Sequence, residues 1–200
     1  MIHIGKLFEP TLNTANLEGN VKQITVKNIL AISGSLRAAS TNLKIIENVA
    51  ALSADSLKIS VYRGLSALPQ FNPDLDTDEP PEAVKDLRRR IKEADGVLIC
   101  TPEYVFGVPG ALKNAIDWTV SSGEFSGKPT ALITASLGGE KAHESLLLTL
   151  KTVEAKIGED SALLIQYART KVNAEGAVSD AATVEALKLL IKSFALTLSE

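Results

Sequence analysis

Five short apolar runs punctuate the chain, and each is followed by a polar or glycine-containing stretch. The first run, Asn28 to Ser33, reads as a strand covered on both faces. It stops abruptly at Ser33-Gly34-Ser35. From Thr41 to Leu52 the apolar period lengthens, which predicts a helix with Leu43, Ile46, Val49 and Ala50 on one face. Leu57 to Tyr62 is the second predicted strand. A helix of crossover length joins the two strands, so they are expected to run parallel.

Arg63 to Pro81 is a long loop containing Pro69, Pro73, Pro80 and Pro81. A loop of that length suits a pocket rim. Its acidic residues, Asp74, Asp76, Asp78 and Glu79, read as a solvated face. Glu82 to Glu93 is a helix with Val84, Leu87 and Ile91 as its inner stripe. Gly96 to Thr101 is a continuously apolar third strand, ended by Pro102. A helix starts over Ala111 to Trp118, with Pro109 near its beginning. The fourth strand is Thr130 to Ser136, followed by Leu137-Gly138-Gly139 and a long helix from Glu140 to Ile157. The fifth strand is Ala162 to Ala168. Asp180 is a fitting N-cap for a last helix from Ala181 to Leu198.

A strand–helix unit repeated five times predicts a doubly wound α/β domain, a five-stranded parallel sheet with helices on both faces. That domain covers residues 28–200. Residues 1–27 do not join the repeat and read as an N-terminal arm or extension, with Val21 to Val26 a weak candidate for an edge strand.

Composition narrows the function classes. The chain has 200 residues, 45% hydrophobic and 22% charged, which suits one globular domain. A net charge of -3 gives no broad basic face for nucleic acid. Cys100 is the only cysteine, so an intrachain disulfide and a thiolate-rich metal site are excluded, and a reducing cytoplasm is expected. Its place at the end of an apolar run reads as core, with a raised thiol pKa. The two histidines, His3 and His143, make no metal-binding pair, and His143 reads as a surface residue near a helix start. No apolar run reaches membrane-spanning length, and the N-terminus lacks a signal-peptide pattern.

Three loops leave strand ends on what should be one edge: after Ser33, after Thr101 and after Ser136. Ligands of open parallel sheets bind outside such carboxyl ends. Ser33, Ser35, Ser40 and Thr41 offer hydroxyls, Asn42 an amide, and Arg37 a bidentate partner for a phosphate monoester. The order is that of a strand, a tight loop and a helix N-terminus, a ready anion site. It lacks the G-x-G-x-x-G and G-x-x-x-x-G-K-[ST] patterns of dinucleotide and triphosphate loops, and there is no G-x-S-x-G elbow. The second loop, Pro102-Glu103-Tyr104-Val105-Phe106-Gly107, could line a flat heteroaromatic ring. Tyr104 and Phe106 could equally fill core, and Glu103 could face solvent or brace the loop. Trp118 reads as a core residue or as a dimer anchor.

Three segments resemble the NADPH-dependent FMN reductase family, with its chromate, quinone and azo reductases. They are Ser33-Gly34-Ser35-Leu36-Arg37 with Ser40 and Asn42, then Leu68 to Asp74, then Thr101-Pro102-Glu103-Tyr104 with Gly107 to Trp118. The resemblance implies a flavodoxin-like fold of strand order 2-1-3-4-5 that binds FMN noncovalently. It places Ser35, Arg37, Ser40, Thr41 and Asn42 around the phosphate and Pro102 to Gly107 along the ring. Ser136, Gly138 and Gly139 match the third cofactor loop. Phe71 and Tyr104 would border the open ring face or a neighbouring subunit, since members are commonly dimers or tetramers. The implied activity is hydride transfer from NADPH or NADH through FMN to quinones, azo compounds, free flavin or metal oxyanions such as chromate. A flavodoxin-like electron carrier and a flavin-free scaffold or regulatory module are the alternatives. Two features depart from the family pattern. The leader to Lys27 is long, and the loop SLGGEKAH is short and lacks the usual following arginine.

Overall fold

The five strands of the predicted repeat are present and pair in parallel, in the order second, first, third, fourth, fifth. A computed structural model describes residues 26–200. The strands are β1 (Lys27–Ser33), β2 (Leu57–Val61), β3 (Gly96–Thr101), β4 (Thr130–Ala135) and β5 (Ala162–Ile165). The helices are α1 (Thr41–Leu52), α2 (Glu82–Glu93), α3 (Gly110–Asp117), α4 (Glu140–Thr152) and α5 (Ala181–Thr197). Residues 1–25, which hold most of the proposed arm and its candidate edge strand, lie outside the described residues.

The sheet is covered twice, which is why β3 and β4 read as unbroken apolar runs. On one face Ile29, Ala31, Leu98, Cys100 and Ile133 pack under α1 and α5, against Ile45, Ile46, Val49, Leu187 and Phe194. On the other, Leu30, Ile32, Val97, Ile99 and Leu132 meet Val84, Leu87 and Ile91 of α2, Leu112 and Ile116 of α3, and Leu146 and Leu150 of α4. Register brings the strand ends to one edge, with Ser33 opposite Cys100 and Thr101 opposite Thr134.

Four sequence expectations need correction. The inner stripe of α1 is Asn42, Ile45, Ile46 and Val49; Leu43 and Ala50 are only half-buried, because Asn42 turns inward and sets the rotation. The helix α4 stops at Thr152 and does not reach Ile157. Glu154 adopts φ 61, and Lys156 then pairs beside Pro129 at the start of β4. The strand β5 ends at Ile165, because Tyr167 at φ 52 turns the chain into a 3-10 turn over Ala168–Lys171.

The fourth concerns the acidic loop, which is not wholly solvated. Asp76 sits 2.6 Å from Arg88, with the two side chains only 9% and 13% exposed. Ser121 donates to the same carboxylate at 2.6 Å, and Arg88 Nε donates to the Trp118 carbonyl at 2.8 Å. The bonds from Ser121 and Arg88 hold the Asp76 carboxyl below its ordinary value of 3.8. A lowered folded-state pKa adds stability above that value, and the contribution is lost as pH falls through the folded pKa. Asp76→Asn is therefore expected to melt below wild type at neutral pH and to converge with it as pH falls through the lowered folded-state pKa. A gap in melting temperature that stays constant on acidification would contradict this.

Trp118 is core. It is fully buried, and its Nε1 donates to the Pro69 carbonyl at 2.8 Å. Phe71 packs edge-on against it at 5.0 Å between centroids. Asn114 completes the anchor: its Oδ1 accepts from Phe71 N at 2.7 Å and its Nδ2 donates to Pro69 O at 2.9 Å. The long proline-containing loop is thereby pinned to α3.

Candidate functional site

The first loop is shaped by a close approach. Gly34 N donates to the Cys100 carbonyl at 2.9 Å, and a Cβ on Gly34 would lie 2.2 Å from Thr101 Oγ1. Only glycine lets the loop fold down on the end of β3. Ser35 is buried, and its Oγ accepts from Arg37 N at 3.4 Å. Ser40 caps α1, its Oγ accepting from Asn42 N at 3.2 Å. The N–H groups of Ala39, Thr41 and Leu43 find no acceptor among the described residues. Open N–H groups at the positive end of a helix dipole favour an anion. Arg37 is exposed beside it and has no ion pair among the described residues.

Asn42 also bonds inward. Its Nδ2 donates to Ala135 O at 3.3 Å, and its Oδ1 accepts from Cys100 Sγ at 3.3 Å. Its amide therefore ties α1 to β3 and β4. Cys100 is fully buried, and burial pushes its thiol pKa far up, as an inert core residue requires.

The second loop forms a tight turn. Tyr104 and Gly107 exchange two backbone hydrogen bonds at 3.0 Å across Val105 and Phe106. Both central residues are left-handed, at φ 50 and φ 57. For a β-branched residue such as Val105 this is a rare conformation, costing about 1–3 kcal/mol. The side chains do not fill core: Val105 is 98% exposed and Phe106 78%, with Tyr104 also exposed.

Glu103 joins the second loop to the third. Its backbone N donates to Ser136 Oγ at 3.3 Å. Its carboxylate accepts from Gly139 N at 3.2 Å and from Ala142 N at 2.9 Å. Gly139, at φ 107, is the N-cap residue of α4 and has no side chain to cap with. Glu103 therefore caps α4 from another loop. His143, one turn in, is half-buried, with Nδ1 3.0 Å from Thr134 Oγ1. Burial holds its pKa below the ordinary value, so the expected surface histidine is instead a neutral residue packed on β4.

These loops enclose a cleft of about 350 Å³, within the roughly 300–1,000 Å³ typical of ligand sites. Ser35, Arg37, Ser40, Thr41 and Asn42 line one end. Pro102, Glu103 and Tyr104 form one wall, and Ala135, Ser136 and Leu137 the floor. Ser33 lines a separate recess of about 120 Å³ with Tyr62 and Arg63. Val105, Phe106, Gly107, Gly138 and Gly139 lie outside the cleft lining, and Phe71 is held at Trp118. Sequence reasoning missed the fourth wall, Tyr167 to Thr170. The rule that strand ends face the ligand points to it, but a fifth strand drawn to Ala168 runs three residues past Ile165 and hides it.

A family model described as NADPH-dependent FMN reductase matches residues 27–170. The chain belongs to that family of flavodoxin-like oxidoreductases, which use FMN and NAD(P)H. A quinone reductase of Pseudomonas putida is 39% identical over 131 residues, 62% of this chain and 70% of the relative. An NAD(P)H-dependent FMN reductase of Pseudomonas aeruginosa is 34% identical over 157 residues, 76% of this chain and 84% of the relative. Among solved structures, the flavoenzyme NAD(P)H:(acceptor) oxidoreductase FerB of Paracoccus denitrificans matches with a TM-score of 0.77 at 32% identity. That match covers 87% of this chain and 98% of FerB.

Proposed function

We propose that the cleft seats FMN with its phosphate at the N-terminus of α1, and that the loaded protein passes electrons from NADPH or NADH to quinones and other flat acceptors. The observation that carries the orientation is a difference between two helix ends. Both α1 and α4 begin at the edge where the cleft lies. The α4 end is already filled by the Glu103 carboxylate, whereas the α1 end keeps its N–H groups open beside Ser35, Arg37, Ser40 and Thr41. An anionic phosphate is repelled from the first and held by the second.

Bound FMN supplies two-electron chemistry between the nicotinamide donor and the oxidant. The protein's own groups bind and orient. Pro102, Tyr104 and Leu137 would give the ring an apolar surface, with the Ser136 hydroxyl beside it. Asn42 lines the phosphate end of the cleft, and its amide also ties α1 to the strand ends that set the floor. The quinone reductases among the relatives support quinones as acceptors, with azo compounds, free flavin and chromate as further candidates. The exposed apolar side chains of Val105, Phe106, Leu137 and Tyr167 beside the cleft support a homodimer or homotetramer that covers them. No helix among the described residues is long and apolar enough to cross a membrane. With the single buried thiol, this supports a cytoplasmic enzyme.

The test is anaerobic stopped-flow reduction of the holoprotein by each nicotinamide, followed by mixing with menadione. Reduction by at least one donor and rapid reoxidation are expected. A yellow protein that neither NADPH nor NADH reduces would contradict the reading and favour a carrier for a protein partner. Arg37→Ala is expected to weaken FMN binding about tenfold or more, through loss of a charge-assisted contact. Unchanged FMN affinity would remove Arg37 from the phosphate site.

A further inference from the structure

The wall that follows β5 carries a cation without a partner. Arg169 is exposed and lines the same cleft as Arg37, and neither guanidinium makes an ion pair or hydrogen bond among the described residues. We propose that Arg169 is a second phosphate-binding residue, closing on the FMN monoester from the wall opposite Arg37 and making the site select FMN over riboflavin. The inference rests on the cofactor assignment above.

The backbone fixes where Arg169 stands. Tyr167 N donates to Leu137 O at 3.0 Å, and Ala168 N donates to Ser136 O at 2.9 Å, so the chain after β5 is stitched to the third loop. Tyr167, at φ 52, then turns it across the mouth, and Thr170 closes the turn through its N and Oγ1 on Tyr167 O. Further on, the chain is clasped by α1. Val178 N donates to Asn48 Oδ1 at 2.9 Å, and Asn48 Nδ2 donates to Gly176 O at 2.8 Å. The segment bearing Arg169 therefore runs from the floor of the cleft toward α1, whose open N-terminus takes the phosphate in the assignment above.

Charge supplies the second argument. A phosphate monoester carries roughly -1.5 to -2 at neutral pH. One guanidinium and a helix end of about +0.5 offset about +1.5, so up to about half a charge is left unbalanced as the monoester approaches roughly -2. The carboxylate of the cleft lining, Glu103, is turned to the α4 amides. Arg169 is the cleft's other available cation. A planar guanidinium on each side also suits the several oxygens of one phosphate.

The experiment titrates apoprotein with FMN and with riboflavin by quenching of flavin fluorescence, for wild type, Arg169→Ala and Arg169→Lys. Thermal melts of the three apoproteins accompany the titrations. Arg169→Ala is expected to weaken FMN about tenfold, as loss of one charge-assisted contact implies, and to leave riboflavin unchanged. Arg169→Lys is expected to recover much of the loss. Unchanged FMN affinity in Arg169→Ala would overturn the proposal, and so would an equal loss for both flavins. Failure of the wild type to take up FMN would instead overturn the cofactor assignment, and this inference with it.

Discussion

Gly34→Ala is expected to lower the melting temperature by several degrees and to abolish tight FMN binding. The added methyl would sit 2.2 Å from Thr101 Oγ1, 2.8 Å from Thr101 Cβ and 3.1 Å from Leu112 Cδ2. Thr101 and Leu112 are both fully buried and leave no room to relax. Overpacking of this kind costs about 1–3 kcal/mol, and each kcal/mol shifts the melting temperature by about 2–4 °C in a domain of this size. The functional loss should exceed the stability loss. Gly34 N is bonded to Cys100 O, so a Cβ that pushes the loop off β3 also moves Ser35 and Arg37 away from α1. Calorimetric melts and flavin-quenching titrations of Gly34→Ala read the two effects separately. Wild-type values in both would show that the loop does not depend on this contact.

The second large effect is expected at Glu103. Replacing it by Ala leaves the Gly139 and Ala142 amides without their acceptor and removes the two side-chain bonds that join the second loop to the third, leaving only the backbone bond from residue 103 N to Ser136 Oγ. Loss of a helix cap costs about 0.5–2 kcal/mol. FMN affinity should fall as well, because the second and third loops are then held together by the single backbone bond to Ser136. Glu103→Gln keeps one carbonyl acceptor and should fall between Ala and wild type in both measures. The opened α4 end should also gain affinity for inorganic phosphate, which would appear as phosphate-dependent stabilisation of the Ala variant alone. A Glu103→Ala protein that melts with wild type and binds FMN as well would refute the bridging role.

Much of the fold was legible because burial on both faces writes itself into composition. Ile29 to Ile32, Gly96 to Cys100 and Ala131 to Ala135 have no polar alternation to confuse the period. The strand order came from family resemblance, and the sheet has that order. The ends of elements were less legible. Gln166 and Tyr167 look like strand residues, yet the hydrogen bonds to Leu137 and Ser136 turn them across the third loop. The same error concealed Arg169 as a lining residue.

Side-chain direction was the other hidden variable. The place of Asn42 at a helix start reads as a ligand donor, and the residue does line the cleft, but its bonds to Ala135 O and Cys100 Sγ are not visible in the sequence. Asp76 looked like one member of a solvated acidic run, and only the packing of α2 shows Arg88 reaching back to it. Glu103 was ambiguous because its partners, Gly139 and Ala142, lie more than thirty residues away. Such long-range pairings leave no local spacing to read.

Crystals of the protein grown with FMN give the most direct measurement. The account predicts phosphate density at the start of α1, within hydrogen-bonding reach of the Thr41 region and Arg37, with the ring running toward Pro102 and Tyr104. Phosphate density at the α4 end in place of Glu103, or a flavin bound outside this cleft, would contradict it.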